Sequence, residues 1–335
     1  MRGTDPERWQ PDGLDQRLIA LLRRDGRMPY RALAGELDIT EATVRTRVRR
    51  LEDSGYMRVV AVTDYAAAGY GMMVSLGIQV EGRAADRVAD ELAAIPEVFS
   101  VCQVVGAQDL EALLVARDPQ QLTDLLTGRL AAVPGVRRLL PALAMDVLKN
   151  QPHWVPLKAA FAASLGPAEA AGDEQALDRL DRQILDWLSM DARTSNRRIA
   201  GAVGVTEGTV RTRIRRMEAA GQIRLTAVTN IEHLVNPVLA YVWIEVERSD
   251  QAQAVARRLA EVPEVGFVGL MLGRSDSLAI TMVHDTEQLS RLLQTTLSVI
   301  PGVRRAECSL GVRLIKHDYR ISRIVPEPSE AMAEG

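Results

Sequence analysis

Two stretches concentrate the residues best able to do chemistry, TEATVRTRVRR (Thr40 to Arg50) and TEGTVRTRIRR (Thr206 to Arg216). As helices turning about 100° per residue, they place Val44, Val48 and Leu51 on one side, and likewise Val210, Ile214 and Met217. Opposite the first stripe stand Ala42, Thr46 and Arg49, flanked by Thr43, Arg45 and Arg50. Opposite the second stand Gly208, Thr212 and Arg215, flanked by Thr209, Arg211 and Arg216. Short residues let the start of a helix approach base edges, and arginines reach phosphates or guanine edges. The expected partner of these faces is double-stranded DNA. Arg47 and Arg213 border the apolar stripes and are expected to pair internally or touch a nucleic-acid backbone.

Little else has the spacing of a reactive site. The four histidines, His153, His233, His284 and His317, show no metal-ligand spacing, so no metal is expected. Cys102 and Cys308 cannot build a disulfide scaffold or a four-cysteine metal site. No nucleophile stands beside a base, and no phosphate loop or dinucleotide fingerprint occurs, so neither catalysis nor a cofactor is expected. With 47% hydrophobic and 25% charged residues in 335, the chain reads as globular. No apolar run reaches the roughly 18 residues of a membrane span, and MRGTDPERWQ lacks an apolar signal core. A cytoplasmic location without a membrane partner is expected.

An exposed arginine face on a lone helix reads as ordinary solvated surface. Here its position in a repeated unit argues otherwise. Residues 14–64 align without gaps to 180–230, with 23 of 51 identical. Further on, IPEV (Ile95 to Val98) faces VPEV (Val262 to Val265), and VPGVRR (Val133 to Arg138) faces IPGVRR (Ile300 to Arg305). The chain is one unit written twice. The net charge of -3 hides a local imbalance. Residues 14–64 hold 10 arginines against 8 carboxylates, 180–230 hold 9 against 5, and 70–148 hold 6 against 10. The basic charge travels with the arginine-faced helices.

The elements that position these faces follow from spacing. Leu14, Leu18, Leu21 and Leu22 have helical periodicity, and a second short helix runs from Tyr30 to Leu37. Asp38 and Ile39 form a tight turn, Thr40 caps the third helix, and Gly55 ends it. A strand-like stretch, Tyr56 to Val62, follows. This is a winged helix-turn-helix. Beyond it, strands at 72–80, 98–105, 110–116 and 137–148 alternate with helices at 84–95 and 120–131 in the order βαββαβ. That is an α+β, ferredoxin-like sheet with one bare face, which must be covered by another sheet. The expected domains are winged helix-turn-helix 1 (11–64), ferredoxin-like domain 1 (68–149), a linker (150–176), winged helix-turn-helix 2 (177–230) and ferredoxin-like domain 2 (235–320). The last ten residues read as a loose tail.

This combination, with P-G-V before the last strand and G-x-x-D between two middle strands, resembles the Lrp/AsnC family of leucine-responsive, feast/famine transcriptional regulators. The resemblance covers nearly the whole chain, twice. It rests on Leu14, Asp15, Leu18, Leu22, Asp25 and Arg27, then on ITEATVRTRVRRLEDSG. It implies a DNA-binding regulator that assembles as dimers or larger oligomers. It also implies an effector, an amino acid or another small molecule, bound near the G-x-x-D turns. Those turns map to Gly106, Gln108 and Asp109, and to Gly273, Arg274, Ser275 and Asp276. Arg274 could pair with an effector carboxylate, whereas its counterpart Ala107 could not. Two departures stand out: this chain carries both units, forming a pseudo-dimer with itself, and Gln108 and Ser275 stand where the family often has an aromatic residue.

The alternative also comes by resemblance. Sirohaem decarboxylases share this scaffold and carry histidines near the second strand of the effector domain. The matching stretches here, VFSVCQVVG and VGFVGLMLG, contain none, and the HDYR string at His317 to Arg320 falls after the last strand. A scaffold that does not bind DNA would need its arginine faces buried or paired with acids.

Overall fold

A computed structural model describes residues 10–151, 154–155, 177–230, 233, 237–322 and 324. Each unit opens with three helices, α1 (Gly13–Arg24), α2 (Tyr30–Leu37) and α3 (Glu41–Asp53), then strand β1 (Met57–Asp64). The second unit repeats them as α6 (Arg179–Met190), α7 (Asn196–Val203), α8 (Glu207–Ala219) and β7 (Ile223–Asn230). Thr40 and Thr206 cap α3 and α8 by accepting from Thr43 N and Thr209 N, both at 3.1 Å. Gly55, as expected, follows α3 with φ in the left-handed region, and Gly221 does the same after α8.

The two wings are one sheet. β1 and β7 pair antiparallel, and Val60 faces Thr226, its own counterpart in the repeat. A pseudo-twofold axis therefore passes between these two residues. Helix α1 packs on β7, and α6 packs on β1, so each trihelical unit leans on the other's wing. One apolar core runs through both, from Leu18, Leu33 and Val48 to Ile184, Ile199 and Ile214. The loops between first and second helices lock reciprocally. Arg27 donates to Ala192 O at 2.6 Å, Thr194 O at 2.9 Å and Asn196 Oδ1 at 2.7 Å. Its counterpart Arg193 donates to Gly26 O at 2.8 Å and Met28 O at 3.3 Å.

The βαββαβ order holds in both units. In the first it comprises β2 (Met72–Val80), α4 (Ala85–Ala93), β3 (Val98–Val105), β4 (Leu110–Ala116), α5 (Pro119–Asp124) and β5 (Val136–Asn150). In the second it comprises β8 (Val238–Val246), α9 (Ala252–Glu261), β9 (Val265–Leu272), β10 (Ser277–Val283), α10 (Thr286–Arg291) and β11 (Val303–His317). After α5 and α10 the chain continues as wider π-helical turns, Leu125–Leu130 and Leu292–Leu297. The bare faces are covered by more than stacking. β5 pairs with β9, and β11 pairs with β3, which closes the eight strands into one barrel. Helix-side cores form around Leu76 and Leu92 in one unit and Val242 and Leu259 in the other. Met73, Phe99, Leu113, Tyr241, Trp243 and Phe267 belong to a further core enclosed between the two sheets.

Barrel and wings are joined crosswise. Past β5, strand β6 (Trp154–Val155) pairs in parallel with β7 of the second unit. Past β11, strand β12 (Ile321–Ser322) pairs in parallel with β1 of the first. The segment read as a linker from residue 150 thus begins as ordered pairing. Residues 152–153 and 156–176, and the expected tail at 326–335, lie outside the described residues. No helix among the described residues is long and apolar enough to cross a membrane.

Candidate nucleic-acid interface and effector barrel

The third helices bury the expected stripes: Val44, Val48 and Leu51 in α3, and Val210, Ile214 and Met217 in α8. The opposite faces are open. Ala42, Arg45, Thr46, Arg49 and Arg50 are exposed, as are Gly208, Arg211, Thr212, Arg215 and Arg216, while Thr43 and Thr209 are half-buried by capping. Arg45, Thr46, Arg49 and Arg50 line one surface depression, and Gly208, Thr209, Thr212 and Arg216 line its equivalent. A Cβ on Gly208 would meet only Thr206 Oγ1 at 3.7 Å, so the fold does not demand glycine there. Its small size instead leaves the start of α8 accessible.

The arginines divide into two kinds. Arg45 pairs with Glu41 at 3.0 Å, Arg49 with Asp53 at 3.4 Å, and Arg211 with Glu207 at 3.2 Å, each one helical turn apart. The Arg45 and Arg49 side chains remain 66% and 82% exposed. Such surface pairs are worth only a few tenths of a kcal/mol, so phosphates can replace them. Arg47 and Arg50 are anchored instead. Both reach the fully buried Asp15 at 2.8 Å, and Arg47 also reaches Asp12 at 2.7 Å. Asp12 and Asp15 cap each other's backbone at the start of α1. The backbone N–H of Asp15, then Arg47, hold the Asp12 carboxyl below its usual range. In the second unit Arg213 reaches Asp178 and Asp181, and Arg216 reaches Asp181. Arg47 and Arg213 therefore pair internally. Arg50 and Arg216 are about half exposed and share that anchoring role, which helical angle alone did not indicate. The buried aspartate fixes the angle between first and third helices.

The G-x-x-D turns are knitted into the barrel. Asp109 accepts from Val80 N at 2.8 Å, and Asp276 accepts from Val246 N at 2.9 Å. Ser275 Oγ donates to Ser277 O at 3.3 Å. Gly106 and Gly273 are exposed at the turns; a Cβ on Gly106 would strike Ser309 Oγ at 2.5 Å, and one on Gly273 would strike Pro141 O at 2.8 Å. Gln108 is buried, and its Oε1 has no hydrogen-bond partner. Arg274 is not directed at solvent for a ligand carboxylate. It donates to Glu111 at 2.7 Å and Glu307 at 3.0 Å, and its guanidinium lies 4.3 Å from the centre of the Trp243 ring. Trp243 Nε1 also donates to Glu111 Oε1, at 3.1 Å. Burial pushes the fully enclosed Glu111 carboxyl up, against the pull of Arg274. Glu111 and Trp243 escaped sequence reasoning because their counterparts, Leu278 and Gly77, carry no polar side chain.

At the opposite end of the barrel, toward the wings, the space between the sheets holds a cavity of about 200 Å³. Met73, Phe99, Leu113, Phe267, Ile280 and Leu314 line it with apolar surface. Ser100, Tyr241 and His317 add polar groups. His317 Nδ1 lies 3.3 Å from Ser100 Oγ. The HDYR histidine thus sits beside the second strand of the first unit, because β11 crosses the pseudo-dimer to pair with β3. Burial lowers the His317 pKa to about 4, so the ring is neutral at pH 7. Among the described residues no cluster of three His, Cys, Asp or Glu side chains could hold a metal ion.

The AsnC-type helix-turn-helix domain model matches residues 12–52 and 177–218, and the Lrp/AsnC ligand binding domain model matches 73–154 and 239–321. An uncharacterised HTH-type transcriptional regulator of Pyrococcus abyssi is 33% identical over 150 residues, which are 44% of this chain and 95% of the relative. One of Pyrococcus furiosus is 34% identical over 149 residues, 43% of this chain and 97% of the relative. The solved structure of the siroheme decarboxylase NirDL superposes with a TM-score of 0.64 at 16% identity, covering 94% of this chain and 95% of that one. That likeness is one of fold. The relatives each span one unit's length, the domain models match in duplicate, and the chain belongs to the Lrp/AsnC family of transcriptional regulators in a tandem-duplicated form.

Proposed function

We propose that the chain is a sequence-specific regulator of transcription that grips double-stranded DNA with both third helices and is controlled by a small molecule held in its barrel. The observation that carries this reading is the pair of exposed, arginine-bearing faces on α3 and α8, related by the pseudo-twofold axis at Val60 and Thr226. Ala42, Thr43, Arg45, Thr46, Arg49 and Arg50 supply one contact surface, and Gly208, Thr209, Arg211, Thr212, Arg215 and Arg216 the other. Twofold geometry suits inverted half-sites. The differences between the faces, Ala42 against Gly208 first among them, suit half-sites of unlike sequence. Selection of bound fragments from a genomic library, followed by footprinting, tests this. Two adjacent protected half-sites of different sequence are expected. Two identical half-sites of equal affinity would contradict the asymmetric reading.

Small-molecule control is assigned to the barrel because the ligand-binding domain model matches both of its halves. The turn residues Gly106, Gln108, Asp109, Gly273, Arg274, Ser275 and Asp276 border it. Their polar groups serve the fold, so a carboxylate-bearing effector would have to draw Arg274 away from Glu111.

The placement of His317 beside β3 favours a second reading, a sirohaem decarboxylase without regulatory activity. Against it, no arginine or lysine among the described residues lines the cavity to receive a tetrapyrrole's carboxylates. Release of CO2 from sirohaem would support that reading.

A further inference from the structure

The cavity at the wing end of the barrel is distinct from the G-x-x-D turns, and its shape comes from divergence between the repeats. Gly266 stands where the first unit has Phe99, and Phe267 where it has Ser100, so each wall carries one aromatic ring, set one residue apart in the two units. His317 stands opposite its counterpart Asn150, and Ser100 opposite Phe267. A symmetric pair of units would present two equal half-cavities. This chain presents one lopsided chamber, with its polar corner at His317, Ser100 and Tyr241.

The lining sets the chemistry. Among its described residues Glu264 is the one ionised group, and it lies exposed at the mouth. A free amino acid or an organic acid would leave its carboxylate without a cation, a heavy desolvation cost. A cavity of about 150 Å³ lined by apolar side chains takes up benzene. The space of about 200 Å³ here suits something slightly larger.

The walls also lead to the DNA-reading half. Tyr319, Ile321 and Ser322 line the cavity, and β12 is hydrogen-bonded to the wing of the first unit. Thr63 N donates to Arg320 O at 2.9 Å, and Tyr65 N donates to Ser322 O at 2.8 Å. Across the mouth, Asn150 Nδ2 donates to Ser322 Oγ at 2.7 Å, and the chain beyond Asn150 continues into β6 on the other wing. A molecule that spreads this mouth moves both wing attachments.

We infer that this chamber binds a neutral, mainly apolar molecule of one or two rings, whose single hydrogen-bonding group meets the His317–Ser100–Tyr241 corner, and that its occupancy changes the affinity for DNA. The inference rests on the regulator reading only in its second half.

Indole and 2-naphthol serve as probes, titrated into the full chain by calorimetry. Saturable binding of one molecule per chain is expected. It should weaken at least tenfold in Gly266→Phe, which adds a second ring beside Phe267 and takes up cavity space, and in the milder Gly266→Leu. A Cβ at Gly266 meets nothing closer than 3.8 Å, so the backbone accepts one. Circular dichroism and retained DNA binding establish that each variant is folded. Leucine should not displace the probes. DNA affinity should shift severalfold with probe in the wild type and not in Gly266→Phe. No saturable binding, equal binding in both folded variants, displacement by leucine, or binding that leaves DNA affinity unchanged would each overturn the inference. If the chain binds the probes but no DNA, the regulator reading fails and the chamber assignment stands.

Discussion

The guanidinium of Arg274 donates to the carboxylate of Glu111 at 2.7 Å, and the two residues come from different copies of the repeat. The pair sits inside the barrel, capped by Trp243, where the counterparts of Arg274 and Glu111 are Ala107 and Leu278. Divergence of the copies has placed one ion pair across the pseudo-dimer where exact symmetry would place two or none.

Removing the arginine strands a buried carboxylate. Arg274→Met should lower stability by roughly 3–5 kcal/mol at pH 7, as breaking one side of a buried pair does. The sign with pH follows from Glu111. Its folded pKa is already raised by burial, and loss of Arg274 raises it further. A raised carboxyl makes the folded state the stronger proton binder, so stability is lost as pH rises and regained as it falls. Urea denaturation at about pH 5 and about pH 8 should show a smaller deficit at the acid end. The double variant Arg274→Met with Glu111→Gln should recover much of the loss, and equal deficits at both pH values would contradict this account.

His317 gives the opposite slope. Its folded pKa of about 4 lies below the usual 6.5, so the unfolded chain takes up the proton first. Its contribution is fully present above about pH 6.5 and is lost as pH falls toward 4. The loss should amount to roughly 2 kcal/mol once exposure to the cavity is allowed for. His317→Asn, which installs the first unit's residue, should flatten that part of the profile in thermal unfolding at a series of pH values.

The reciprocal arginines make the two trihelical units one body. Arg27→Ala leaves three acceptors across the interface without their donor and should cost about 2 kcal/mol, as should Arg193→Ala. Hydrogen exchange should then speed up in α7 for Arg27→Ala, even though Arg27 belongs to the other unit. Acceleration confined to α1 and α2 would contradict the crosswise lock.

What could be read in advance followed local rules. Periodicity and caps set α3 from Thr40 to Gly55, and the apolar stripe of Val44, Val48 and Leu51 fixed which face remained open. The repeat set the number of units. Long-range pairing was another matter. Nothing local tells β11 to join β3, or β12 to join the wing of the first unit, because those hydrogen bonds are between backbones and carry no side-chain signature. The same limit hid Glu111 as the partner of Arg274 and put His317 after the last strand when it lies beside Ser100. Arg50 and Arg216 show a further limit: a helical angle gives a direction, not the buried aspartate waiting one helix away.

The central claim is that both third helices of one chain hold DNA, and affinity measured over a salt series tests it most directly. Wild-type affinity for a selected fragment should fall steeply, by about a thousandfold or more between roughly 50 and 200 mM salt if six or more phosphates are engaged. Arg45→Ala with Arg49→Ala should weaken binding and flatten the slope by about 0.9 per lost contact. Arg211→Ala with Arg215→Ala should do the same independently. Affinity that ignores salt, or that survives both pairs of substitutions unchanged, would contradict the account.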